Sequence, residues 1–275
     1  MVTCLALFLF VITHGINLPF VGPYAFNYNI YSLIAHNYNK FGMLSVNFAP
    51  IISISEYIPE NPNLYLHHPP LLPIIESFFF RVIGESFWAG RLTVIFFAFG
   101  SGVLLYVISS LIKNKKFALI VSAIYFVIPA SSIFGKMIGQ EQLVLFFALF
   151  TLLFILVYIR SNKLFYIPII LIGVVLGVLS DWPMVYFILS LSPFLIYKKK
   201  VHLLIIILMV AFITALGFFA YISILQSGLH ELFGAFINRS HTWEVTPYYL
   251  WPFLWAATIF VRFFIYFNPI LSILS

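Results

Sequence analysis

Charge is scarce in this 275-residue chain: 8% of its residues are Asp, Glu, Lys or Arg, against roughly 25% in an ordinary soluble domain. So small a supply cannot cover a water-facing surface, which excludes a soluble globular protein. Cysteine is nearly missing as well. With Cys4 alone, no intrachain disulfide can form and a cysteine-based metal site has no ligands. There is no phosphate-cradling glycine loop, no Gly-x-Ser-x-Gly elbow and no zinc signature. Internal repeats, low-complexity tracts and heptad runs are also lacking. What is present is apolar: 63% of residues are hydrophobic and 20% aromatic. The chain reads as an all-α, polytopic membrane protein. A net charge of +6 raises nucleic acid as a partner, but the basic residues lie in short clusters between apolar runs. That is the pattern of the positive-inside rule and not of a nucleic-acid surface.

The apolar runs predict about eight membrane spans. Met1 to Thr13 is short for a span, which needs roughly 20 residues. It lacks the charged start of a secretory leader, and reads as a first span with a short amino end. Phe87–Ile112, Phe117–Phe134, Glu141–Ile159, Phe165–Ser180, Met184–Tyr197, Val201–Leu225 and Pro247–Phe267 complete the set. Residues 14–86 form a long first outer loop. Within it, Asn29, Ser32, His36 and Lys40 oppose Ile30, Ile34, Tyr38 and Phe41, as in an amphipathic interfacial helix. A second such helix over 71–83 carries a stripe of Leu71, Ile74, Ile75, Phe78 and Val82. Pro69 and Pro70 suit its first turn.

Three basic clusters fix the sides: Lys113, Lys115 and Lys116; Arg160 and Lys163; and Lys198, Lys199 and Lys200. With these in the cytoplasm, Glu56, Glu60, Glu76, Glu85, Glu141, Asp181, Glu231 and Glu244 all fall outside. So do six of the seven histidines, with His202 alone inside. A transporter usually holds its ionisable groups at mid-membrane. Here they gather at one face, which points to chemistry or binding at the outer surface.

The polar break Gly135-Lys136-Met137-Ile138-Gly139-Gln140-Glu141 stands between two long apolar runs. An ionisable group there is costly and marks a functional candidate. Glu141 fits a general base, a metal ligand or an acid favoured at a helix N-terminus by roughly 0.3–1 kcal/mol. Lys136 and Arg239 are outer cations suited to a phosphate, or to lipid headgroups. His67 and His68 adjoin Pro69-Pro70 and point apart on most backbones, which makes a two-ligand metal site weak. Asp181 in Ser-Asp-Trp-Pro fits a turn or helix cap, with Trp182 at the interface.

Four segments, in order, resemble the GT-C glycosyltransferases, in the branch of the protein O-mannosyltransferases and the bacterial enzymes that add aminoarabinose to lipid A. They are Asn27-Tyr28-Asn29-Ile30-Tyr31-Ser32-Leu33-Ile34-Ala35-His36-Asn37 with Gly42; Tyr65-Leu66-His67-His68-Pro69-Pro70-Leu71 with Gly84 and Arg91-Leu92; Gly135-Lys136-Met137 with Glu141; and Ser180-Asp181-Trp182-Pro183. The resemblance implies one transmembrane domain over 1–275, shorter at its carboxyl end than the family's usual length. It implies an inverting transfer of a hexose or pentose from a polyprenyl-phosphate-linked sugar. The acceptor is a protein, lipid or glycan at the outer face of a cell membrane. It implies no required cofactor and no metal site, and leaves room for a divalent cation, Mg or Mn. Glu141 is then the catalytic base, with Asn27 at the position where the family usually carries an acidic residue. Since an amide is no base, Glu56 and Glu60 are further candidates for that role. Lys136, Arg239 and His68 would hold the donor phosphate; Tyr31, His67, Asp181, Trp182 and Trp243 would contact sugar or acceptor. A non-catalytic relative, such as a lipid-linked-sugar transporter or an assembly subunit, is the alternative that Asn27 and the short carboxyl end favour.

Overall fold

The computed structural model describes residues 2–20 and 25–225, with positions 229, 234 and 256 besides. Arg239, Trp243 and all of the expected span Pro247–Phe267 but position 256 lie outside the described residues. Ten helices follow in order: α1 (Val2–Thr13), α2 (Ala25–Phe41), α3 (Leu71–Ile83), α4 (Phe87–Ile112), α5 (Lys115–Val127), α6 (Pro129–Lys136), α7 (Glu141–Ser161), α8 (Tyr166–Ser180), α9 (Pro183–Tyr197) and α10 (Val201–Ile224). Among the described residues there is no strand, and Ile51 and Leu64 form one antiparallel bridge.

Helices α4, α7 and α10 are long and apolar enough to cross a membrane, and α5–α6 makes a fourth as a bent pair. The remaining apolar helices fall short of the roughly 20 residues a span requires: α8 and α9 have 15 each and α1 has 12. The described residues therefore supply three or four full-length spans. The Phe117–Phe134 segment is not one straight helix. Pro129 has no N–H and drives Ile128 into extended backbone, at φ −66° and ψ 131°. The chain restarts with Pro129 in the first turn and bends by 60°. Helix α6 then absorbs Gly135 and Lys136, and Met137, Ile138 and Gln140 are buried. The expected polar loop shrinks to a packed turn of four residues.

Starts and stops follow local chemistry. Ser86 caps α4 by accepting from the Ala89 amide, and Asn114 caps α5 through Phe117. Asn162 ends α7 in the left-handed region, at φ 54°. Gly102 sets the closeness of α4 to α5, since a Cβ there would fall 2.2 Å from the Phe126 ring. The Ser122 hydroxyl donates to the Gly102 carbonyl across the same contact, at 2.7 Å.

The first long segment is ordered against the helix ends. Asn37 Nδ2 donates to the carbonyls of Ile51 and Ser53, and the Tyr38 hydroxyl donates to that of Phe48. Its apolar side chains join those of α4, α7 and α10 in one core, which includes Ile34, Tyr38, Leu66, Val94 and Phe218. A second core lies wholly among α7, α8, α9 and α10. In α3 the face that packs on protein is Leu72, Pro73, Glu76, Ser77 and Phe80. The expected stripe is divided: Leu71, Ile74 and Ile75 are half-buried against the core, and Phe78 and Val82 are exposed. An interfacial helix divides its apolar residues between lipid and protein in this way.

The basic clusters converge at one end of the bundle. Arg160 donates to the Leu111 carbonyl, and Lys200 Nζ donates to Asn162 Oδ1 at 2.6 Å. Glu85, Glu141 and Asp181 belong to helix ends and turns at the opposite end, and Glu76 lies midway along α3.

Candidate functional site

Asp181 ends α8 in extended backbone, at φ −172°, because Trp182-Pro183 begins the next helix. Its amide donates to the Gly177 carbonyl, and its Oδ1 accepts from the Trp182 amide at 2.8 Å. That carboxylate meets a residue 113 positions away: Nδ1 of His68 lies 2.9 Å from Asp181 Oδ1. The pair is largely shielded, with side-chain exposures of 17% and 16%. A second tie runs beside it, from Trp182 Nε1 to the His67 carbonyl at 3.4 Å. Trp182 stacks on Phe219, with centroids 5.5 Å apart and planes at 23°. The Tyr65 ring lies 5.0 Å from His67 and 6.0 Å from His68, and meets Tyr31 edge-on at 5.8 Å.

Glu141 opens α7 and is exposed. Asp181 and His68 both act on its charge electrostatically. Glu141 and Asp181 in turn act on Tyr31, whose phenol is held well above its ordinary range, chiefly by burial and then by Tyr65. The structure thus gathers five expected residues, Glu141, His68, Asp181, Tyr31 and Trp182, around one corner, with the His67 backbone at its edge.

A cationic side adjoins this corner. Arg91 is buried in α4, where its guanidinium donates to the carbonyls of Ile16 and Leu18 at 2.7 and 2.6 Å. It lies 4.8 Å from the Phe20 ring centroid and 5.7 Å from that of Tyr28. Lys136 Nζ donates to the Val11 carbonyl at 3.4 Å and feels the Arg91 charge. Tyr28 stands between the two sides, within reach of both Arg91 and Glu141. Its phenol is raised, chiefly by burial.

Asn27, in the first turn of α2, makes no hydrogen bond among the described residues. Glu56 and Glu60 are exposed and form no ion pair among them. No group of three or more His, Cys, Asp or Glu side chains comes together as a metal site among the described residues.

Two residues at this end received no role from sequence reasoning. Arg91 is one, and its signal was a charge inside an apolar run. The other is Glu76, which is fully buried: Ser32 Oγ donates to its Oε1 at 2.5 Å, and its Oε2 has no partner among the described residues. Burial, reinforced by Glu85, pushes Glu76 up to about 8, against a smaller opposing effect of the Ser32 bond. Ser32 also lines a separate cavity of about 620 Å³ with Asn29, His36, Glu85 and Phe80.

Comparison with known proteins supplies a frame for this geometry. Residues 67–224 match the family described as "Dolichyl-phosphate-mannose-protein mannosyltransferase". That range begins at His67 and contains His68, Glu141 and Asp181. The chain is also similar to a solved structure, ArnT from Cupriavidus metallidurans in the apo state. The two share 14% identity at a TM-score of 0.59, over 81% of this chain and 41% of ArnT. At that identity the likeness speaks for the fold alone, and this chain spans under half of ArnT's length. No curated protein matches it by sequence.

Proposed function

Because the chain belongs to the dolichyl-phosphate-mannose-protein mannosyltransferase family, and so to the GT-C superfamily, we propose that it is an integral-membrane glycosyltransferase. It moves a sugar from a polyprenyl-phosphate donor to an acceptor hydroxyl on a protein, lipid or glycan at the outer face. The observation that carries the reading is the His68–Asp181 pair beside Glu141. An acid–imidazole corner is what proton removal from a hydroxyl requires. It occurs at the end of the bundle away from the lysine clusters, the end that the positive-inside rule places outside.

The two sides of the site divide the work. The lipid tail lies among the spans and its phosphate reaches the interface on the Lys136 side, where Arg91 adds a second positive charge. Those charges stabilise the phosphate as it departs. The acceptor hydroxyl approaches from the Glu141, His68 and Asp181 side, attacks the anomeric carbon directly and inverts it. Its proton leaves into that corner. Tyr31, Tyr65 and Trp182 offer ring faces and edges to the sugar.

The test is transfer of labelled sugar from undecaprenyl- and dolichyl-phosphate donors by the purified protein in vesicles, with a membrane extract as acceptor. Transfer that falls in Glu141→Gln supports the reading. Donor that crosses the vesicle uncleaved supports the second reading, a non-catalytic lipid-linked-sugar transporter or assembly subunit, which the amide at Asn27 favours.

A further inference from the structure

We propose that Nε2 of His68 is the atom that takes the acceptor's proton, and that Asp181 is the residue that positions it. This rests on the transferase reading and narrows it to one nitrogen. A carboxylate accepts hydrogen bonds and donates none, so the 2.9 Å contact places the ring hydrogen on Nδ1. In the neutral imidazole the free lone pair is then on Nε2. Nε2 has no partner among the described residues.

The arrangement is held from both directions. His68 precedes Pro69-Pro70, which restricts its backbone to extended conformations. Asp181 is fixed by the α8–α9 turn, by the Trp182 amide and by its own amide bond to Gly177. The Trp182–His67 contact ties the two segments a second time. Fixed geometry of this kind is what lets a carboxylate–imidazole pair abstract a proton without first reorganising.

The groups that face His68 suit a base. Glu141 comes from α7, Asp181 from the α8–α9 turn and Tyr65 from the first long segment, with Tyr31 of α2 edge-on against Tyr65. Among the described residues no lysine or arginine joins them. Two carboxylates stabilise an imidazolium as it forms and repel a phosphate, so the donor phosphate belongs on the Lys136 side. In the step, the acceptor oxygen bonds to the anomeric carbon and the bond from that carbon to the phosphate oxygen breaks. The electron pair leaves on the phosphate. The hydroxyl proton moves to Nε2, while the Nδ1 hydrogen stays between His68 and Asp181. The imidazolium then returns its proton to solvent.

The experiment uses the full chain in vesicles with undecaprenyl- and dolichyl-phosphate sugars. His68→Ala should lower kcat about 10²–10⁴-fold while binding of undecaprenyl phosphate, read by tryptophan fluorescence, stays unchanged. Added imidazole should restore part of the lost rate. Asp181→Asn should lower kcat at unchanged KM, and Asp181→Glu should recover part of it. The acid limb of the pH–rate profile should vanish in His68→Ala and persist in Glu141→Gln. Three results would overturn the assignment: wild-type kcat in His68→Ala, lost phosphate binding with kcat intact, or a limb that vanishes in Glu141→Gln instead. A wild-type protein that transfers nothing overturns the transferase reading and the base role together. Failure of the base role alone looks different, because wild type then transfers and His68→Ala does so equally well.

Discussion

Glu76 and Glu141 are two carboxylates whose surroundings differ in contact with solvent and in hydrogen-bond partners. Glu76 is sealed. One oxygen takes the Ser32 hydroxyl, the other has no partner among the described residues, and no part of it reaches solvent. The α4 backbone approaches it so closely that a Cβ on Gly90 would fall 2.7 Å from its Oε1. Its affinity for a proton, pushed up to about 8 by burial, keeps it neutral at neutral pH. Glu141 is exposed, opens a helix whose dipole favours its charge, and has an imidazole and a second carboxylate within electrostatic reach. An acid closed off from water is held neutral, whereas an acid left open beside a histidine stays available to a substrate.

Substitutions separate the two. The largest effect should come from Glu141→Gln. Sugar transfer should fall by about 10²-fold, because one of the two carboxylates that stabilise the His68 imidazolium is lost, while the melting transition moves by no more than about 0.5 kcal/mol. Glu76→Gln should do the reverse, leaving transfer in place and changing how stability depends on pH. Because folding raises the proton affinity of Glu76, its contribution is fully present below the unfolded value near 4.5. It is lost as pH rises through about 8. Wild-type thermal stability should therefore fall between pH 5 and pH 8.5, and the slope should shrink in the variant. Gly90→Ala should destabilise by about 1–3 kcal/mol, since its methyl would strike both the Glu76 carboxyl and the Ile138 side chain, read as a lowered unfolding midpoint. The smallest effect belongs to Ser32→Ala, at about 1 kcal/mol. It should also move the wild-type pH slope upward, because the Ser32 bond is what opposes burial at Glu76.

Much of this was legible in the chain. Two prolines ahead of Leu71 mark the start of α3, and the structure places the ends of α3 and α4 at the expected residues. Glu141 opens α7 at the expected residue, and the structure brings it together with His68, Asp181, Tyr31 and Trp182. The bond between His68 and Asp181 was not legible. It joins residues 113 apart, and no local pattern encodes which helix ends will meet. The Pro129 break was visible as a proline, but prolines are common within membrane helices and only packing decides which of them bend. The burial of Glu76 was not legible either, because α3 carries apolar residues on more than one side and the stripe alone does not say which of them meets protein. Arg91 was passed over because its partners are backbone carbonyls of a segment whose course the sequence does not reveal.

The account stands most directly on single-turnover transfer from pre-bound undecaprenyl- and dolichyl-phosphate sugars, comparing wild type with Asp181→Asn in vesicles. It predicts cleavage of the sugar–phosphate bond by wild type, with bound donor left largely intact by the variant. Equal cleavage by both proteins, or uncleaved donor in both, would contradict a reaction centre at the corner where α7 and α8 meet the first long segment.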